Sequence, residues 1–259
     1  MRELRRRAAI VCLAGLATAG QAPLPVFEVA SVKVNRSGEI PMRLTAPPGR
    51  FEATNVTLKM LILNSYGLPD FRLANLPSWA EDERFDVAGR SAAPVGRDEI
   101  SAMVRSLLAD RFQLRAHRET RELPTYALVS ASSEHRPGPA LRASSIDCSA
   151  ATDRSKCNTR ITPRSLTAAG MTMTRLAATL TGIVGRAVTD ATGMAGAYDL
   201  ELTFAPEGPL PPGAPPSAAD SDAPSIFTAV QEQLGLKLDG RRGPVEVLVV
   251  DSLERPTPD

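Results

Sequence analysis

The sequence predicts an α+β protein built from two duplicated half-domains, each a small, mostly antiparallel sheet carrying two helices. Three observations carry that prediction. The order strand-helix-strand-strand-helix-strand-strand can be read in the first half of the chain and again in the second. Thr57-Leu58…Leu61…Gly67 is matched by Thr172-Met173…Leu176…Gly182, and Phe85-Asp86-Val87 by Tyr198-Asp199-Leu200. Ile100, Val104 and Leu108 are mirrored by Ile226, Val230 and Leu234. Self-similarity sustained in one order marks an internal repeat. The expected division is a signal peptide over 1–22, a first half-domain over 23–133 and a linker with a disulfide loop over 134–164. The second half-domain is expected over 165–259, with a Pro-rich insertion at 205–224.

The N-terminus reads as an export signal. Arg2, Arg5, Arg6 and Arg7 form a basic start, Ala8–Ala19 is apolar, and Ala17-Thr18-Ala19 offers small residues to a signal peptidase. That apolar run is shorter than the roughly 20 residues needed to span a bilayer. Cleavage would remove four Arg and one Glu and take the formal charge from +1 to −2. A near-neutral mature chain has no electrostatic case for nucleic acid. It has no second apolar run long enough to cross a membrane. Cys12 leaves with the signal, so Cys148 and Cys157 remain, and in an oxidising compartment an even pair at short spacing predicts one disulfide.

Along the first half, Phe27–Val34 alternates as a strand and Arg50–Asn55 forms a second. Thr57 is an N-cap for a helix over Leu58–Tyr66 that Gly67 ends, with Leu58, Leu61, Ile62 and Ser65 inward. Phe71–Ala74 is expected as a strand, Leu76–Glu83 as a turn carrying Trp79, and Arg84–Gly89 as its antiparallel return. Ile100, Met103, Val104, Leu107 and Leu108 recur at helical spacing, which predicts a helix over Asp98–Asp110. Phe112–His117 and Leu123–Ala131 are expected to pair as a hairpin.

Glu134–Arg164 lacks apolar periodicity and is read as the linker. Beyond it, Leu166–Ala169 reads as a strand, and Thr172 caps a helix over Met173–Leu180. Ala187–Asp190 and Tyr198–Phe204 are expected as a strand pair around the turn Ala191–Gly196. Ala205–Pro224 is the Pro-rich insertion. Ser225 caps a helix over Ile226–Leu234, and Leu236–Leu238 and Val245–Val250 parallel the expected first-half hairpin.

A search for chemistry finds no catalytic set, metal site or cofactor fingerprint. A hydrolase needs a nucleophile, a base and an orienting group. The two histidines, His117 and His135, have no HExxH or GxSxG context and read as surface residues. Asp190-Ala191-Thr192-Gly193 has the composition of a turn, with Gly193 and Gly196 supplying positive φ. Glu81, Asp82, Glu83 and Asp86 lack the spacing of a calcium loop and read as a solvated acidic turn. Trp79 reads as a core anchor of the first half.

The motifs FEVASVKVN, GRFEATNVTLKMLI…YG, PSWAEDERFDVAGR, LLADRFQLRAHRETRELPTYAL, VTDATGMAGAYDLELTFAP and SIFTAVQEQLGLKLDGRRGPVEVLVVDSLERP together resemble one family. It is an uncharacterised family of exported proteins, expanded in acidobacterial soil bacteria. Some members are fused to membrane metallopeptidases of the β-lactam-sensor antirepressor type. The resemblance covers Phe27 to about Pro256 and implies structural roles for Thr57, Gly67, Trp79, Phe85, Asp86, Asp190, Thr192, Gly193, Gly196, Tyr198 and Asp199. NVTLKMLI and GMTMTRLAATL are also similar, over few positions, to the short N-terminal domain of secretins and TonB-dependent receptors, a small docking module.

The expected function is therefore a non-catalytic protein-interaction module, exported and either periplasmic or secreted, with exposed strand edges open to strand addition. The alternative is a sensor for a small ligand, with a partly apolar pocket expected between the halves. A hydrolase comes third and would need a polar cleft bringing His117 to a Ser or Asp. The partner, whether protein or small ligand, is unspecified.

Overall fold

The computed structural model describes residues 24–37, 42–134, 136–146, 148, 157–206 and 223–256. The expected signal peptide, His135 and nearly all of the Pro-rich insertion lie outside them. The fold is α+β, and two units repeat the same order of strands and longer helices, the first adding a 3₁₀ turn and the short α2. In the first unit these are β1 (Val29–Val34), β2 (Arg43–Thr45), β3 (Arg50–Thr57), α1 (Leu58–Tyr66), a 3₁₀ turn at Asp70–Arg72, β4 (Leu73–Ala74), α2 (Trp79–Asp82), β5 (Arg84–Arg90), α3 (Arg97–Arg111) and β6 (Arg115–Ser130). In the second they are β7 (Leu141–Ala143), β8 (Thr159–Thr162), β9 (Ser165–Thr172), α4 (Met173–Val184), β10 (Val188–Asp190), β11 (Ala197–Thr203), α5 (Ile226–Leu234) and β12 (Leu236–Ser252).

The sheets repeat as well. The first has the order β1-β5-β3-β2 and the second β7-β11-β9-β8, so each strand of one has its counterpart in the other. β7 and β8, the edge strands of the second sheet, lie inside the segment 134–164 expected as a linker. Three- and four-residue edge strands with mostly exposed side chains are too short to show a period.

The third sheet, β10-β6-β12-β4, is where the sequence reading departs most from the structure. β6 and β12 are single strands of 16 and 17 residues rather than two hairpins, and they pair with each other antiparallel along their whole length. Pro124 and Pro244 lie inside these strands. They sit opposite Arg242 and Glu122, at positions whose N–H would point away from the partner strand. Tyr126, in the same alternation, sends its N–H outward to Ala187 O at 2.8 Å. Proline has no N–H to lose at such a position, so the ribbon tolerates both.

Two further expected pairs do not form. β4 runs parallel to β12, not antiparallel to β5, and β5 lies between β1 and β3. β10 runs parallel to β6, and β11 lies between β7 and β9. Both corrections have one cause: neighbours in sequence belong to different sheets, which alternation along one strand does not encode.

The long ribbon makes each core depend on the other half of the chain. Leu248 and Val250 of β12 are buried in the first core with Val56, Leu58, Ile62, Phe85, Leu108 and Phe112. Leu128 of β6 is buried in the second core with Leu166, Leu176, Leu180, Ile226 and Leu234. Every residue expected to face inward on α1 and α3 is buried there. Thr57, Thr172 and Ser225 accept the N–H three residues on, as N-caps should. Gly67 ends α1 at φ 63°. Its counterpart is Gly185, at φ 61°, and not Gly182, which lies within α4.

Candidate binding groove

The residues singled out by family resemblance occupy the joints of the repeat. β3 carries a bulge at Asn55, held at φ 56°, just before the helix cap Thr57. Asp86, opposite on β5, accepts the Asn55 N–H at 2.9 Å and the Asn35 side-chain amide at 2.8 Å through one oxygen. The second unit repeats the device. Asp199 on β11 accepts the Gly170 N–H at 2.8 Å, and Gly170 has φ 64° just before the cap Thr172. Both aspartates thus pin a left-handed residue that turns the strand into a helix. Phe85 is fully buried and meets Phe112 edge-on at 5.3 Å. Tyr198 is half-buried against the second core, with its hydroxyl donating to Ala195 O.

Asp190-Ala191-Thr192-Gly193 forms a turn. Asp190 accepts from both the N–H and the hydroxyl of Thr192, and the buried Thr192 hydroxyl accepts the Met194 N–H. Gly193 and Gly196 adopt φ 70° and 91°. Trp79 packs half-buried on the first core, and the Arg255 guanidinium lies over its ring at 4.9 Å while pairing with Glu83. Cys148 and Cys157 are disulfide-bonded. The bond ties the chain leaving β7 to the chain entering β8, the two opposite edges of the second sheet.

His117 projects from the exposed ribbon with its Nδ1 2.9 and 3.0 Å from the two Asp251 carboxylate oxygens. Glu119 lies 3.9 Å from Nε2, and Arg121 donates to Glu119, holding that carboxyl below its ordinary range. Among the described residues no group of three or more His, Cys, Asp or Glu could hold a metal ion. No helix among them is long and apolar enough to cross a membrane.

The first unit carries a groove of about 880 Å³ between β2, α1 and the N-terminal turns of α3. Its floor is apolar: Phe51, Ile100 and Val104 are buried, and Leu44 and Ala46 half-buried. Asn64 and Ser65 of α1 and Arg97 and Ser101 of α3 line the walls. A second hollow of about 620 Å³, lined by Met60, Leu63, Gly67, Leu68 and Pro69, shares Leu44 and Asn64 with the first. The walls are locked in place. Arg105 reaches from α3 to the Ser65 carbonyl and lies over the Tyr66 ring at 5.5 Å. Lys59 ties α1 to Asp70 at 2.7 Å and to Glu81 at 3.3 Å, and those bonds hold its ammonium above its ordinary pKa.

Leu44, Asn64, Arg97 and Ser101 did not stand out in the sequence, and Ser65, Ile100 and Val104 show there only as core-facing helix residues. Ser101 and Arg97 flank an ordinary apolar helix stripe, and only the packing of α3 on α1 turns their side of the helix into a wall.

Residues 59–253 match the family described as protein of unknown function (DUF3738). The chain belongs to that family. The match begins within α1, after β1–β3, and runs through the whole shared ribbon of β6 and β12 and all of the second repeat, so it takes in elements of both halves and not one half alone. No curated protein and no solved structure matches the chain.

Proposed function

We propose that this chain is an exported, non-catalytic interaction module, and that a segment of a partner protein lies in the groove between β2, α1 and α3. The observation that carries it is the groove itself: open to solvent, apolar on its floor, polar on its rim, and bordered by β2, which ends its sheet. An extended segment suits such a site, because backbone pairing at a sheet edge supplies affinity while alternate side chains enter adjoining pockets. Export rests on the basic and then apolar leader. The family's resemblance to modules fused to membrane peptidases supports an envelope role. The geometry around His117 adds no support for hydrolysis, since its partner Asp251 is a carboxylate on the same exposed ribbon and the groove lining includes neither.

The test is site-directed photo-crosslinking in the native host, with a benzophenone amino acid at position 101 and, as control, at position 160 on β8. A discrete adduct from position 101 alone is the expected result. Equal labelling from both positions, or none from 101, overturns the proposal.

A second reading is a small-ligand sensor, because a cavity of about 880 Å³ falls within the range used by small molecules. The cavity lies within the first unit rather than between the halves as expected. Thermal-shift screening with peptidoglycan fragments tests it, and a stabilising fragment whose effect is lost in Ser101→Trp would favour it.

A further inference from the structure

The repeat supplies an internal comparison that deepens the groove proposal. Counted from the caps Thr57 and Thr172, Ser65 of α1 corresponds to Leu180 of α4. Aligned on Ile100 and Ile226, which begin the matched buried stripes, Ser101 corresponds to Phe227. The second unit therefore places a fully buried leucine and a phenylalanine where the first has two small hydroxyl residues. α5 also begins at Ile226, whereas α3 begins one turn earlier and carries Arg97 on that turn. Ile100, Val104 and Leu108 are held in common with Ile226, Val230 and Leu234, while Ser65 and Ser101, which line the groove, are not.

The charge of the groove is one-sided. Among the residues lining its two hollows, Arg97 is the sole charged side chain, and none is Asp or Glu. Asp98 and Glu99 follow Arg97 in sequence but lie off the Arg97, Ile100, Ser101, Val104 stripe that lines the groove. The Arg97 side chain is exposed and, among the described residues, makes no hydrogen bond or ion pair, as is also true of Arg43, Arg115, Arg142 and Arg160; of these, Arg97 is the one that lines the groove. A guanidinium beside an apolar floor recognises a carboxylate next to an aliphatic side chain.

Resting on the groove proposal, we infer that the partner segment is acidic and aliphatic. An aliphatic side chain sits on Phe51, Ile100 and Val104, and an Asp or Glu close to it in the segment meets Arg97.

The test selects random octapeptides displayed on phage against the leaderless, disulfide-intact chain, with Ser101→Trp as counter-target. The expected result is enrichment of peptides pairing Leu, Ile or Val with Asp or Glu. Replacing that acid by Lys should weaken binding about tenfold or more, and Arg97→Glu should reverse the preference. Enriched peptides without an acid, or an acid preference unchanged by Arg97→Glu, overturn the inference and leave the groove proposal standing. Enrichment no greater on the wild type than on Ser101→Trp overturns both. Circular dichroism melting confirms that Ser101→Trp is folded. Should it not be, Asn64→Trp on the opposite wall serves as counter-target.

Discussion

Asp86→Ala isolates the device that converts strand to helix in the first unit. One carboxylate oxygen accepts the Asn55 N–H and the Asn35 amide at 2.9 and 2.8 Å. Asn55 is buried, so the variant takes a charged acceptor from a backbone N–H with little access to water, which costs about 1–3 kcal/mol. The Asn35 amide is only half-buried and can rehydrate, which adds roughly 0.5 kcal/mol. The sum is roughly 1.5–3.5 kcal/mol, or about 3–14 °C in Tm for a chain of this size. Asp199→Ala removes one bond from an exposed carboxylate and should cost roughly 1 kcal/mol. Asp86→Asn keeps an acceptor and should fall between the wild type and Asp86→Ala. Urea denaturation followed by fluorescence of Trp79, the one tryptophan, reads the first unit directly. An Asp86→Ala loss under about 0.5 kcal/mol, or a larger loss from Asp199→Ala, would refute the reasoning.

Other consequences follow from the same contacts. Leu248→Ala should destabilise by about 2–5 kcal/mol and shift the Trp79 transition, because Leu248 fills the first core from the far end of the chain; a Trp79 transition that stays put while circular dichroism shifts would contradict the shared core. Gly170→Ala should cost at least about 2 kcal/mol in the same urea titration, since its φ is 64° and the added Cβ would lie 2.6 Å from both Ile146 O and Cys148 Sγ. The Lys59 bonds raise its pKa, so their contribution is fully present below its ordinary value of about 10.4 and is lost as pH rises through the folded value. Lys59→Met should therefore cost about 0.5–1 kcal/mol near neutral pH, with the gap from wild type closing as pH rises through the raised folded value, as measured by urea titrations across pH.

What could be read in the chain was local. The α1 stripe of Leu58, Leu61, Ile62 and Ser65, the caps Thr57, Thr172 and Ser225, and the turn at Asp190 are each set by residues within a few positions of one another. The pairing of Cys148 with Cys157 was legible because the two lie close in sequence. The groove was not legible. Arg97, Ser101, Asn64 and Leu44 come from three elements, and each is unremarkable within its own period.

The repeat, the helices with their caps and the α+β class were determined by the sequence alone, because hydrophobic period and capping chemistry act over one or two turns of chain. The tertiary structure decided how the halves join. Pro124 and Gly243-Pro244 look like strand ends in isolation, and they are acceptable inside β6 and β12 because the facing strand leaves those positions without a required N–H. That condition depends on a partner more than a hundred residues away, which a local pattern does not contain. The same ribbon carries Leu248 into one core and Leu128 into the other, and so makes two repeated units a single fold.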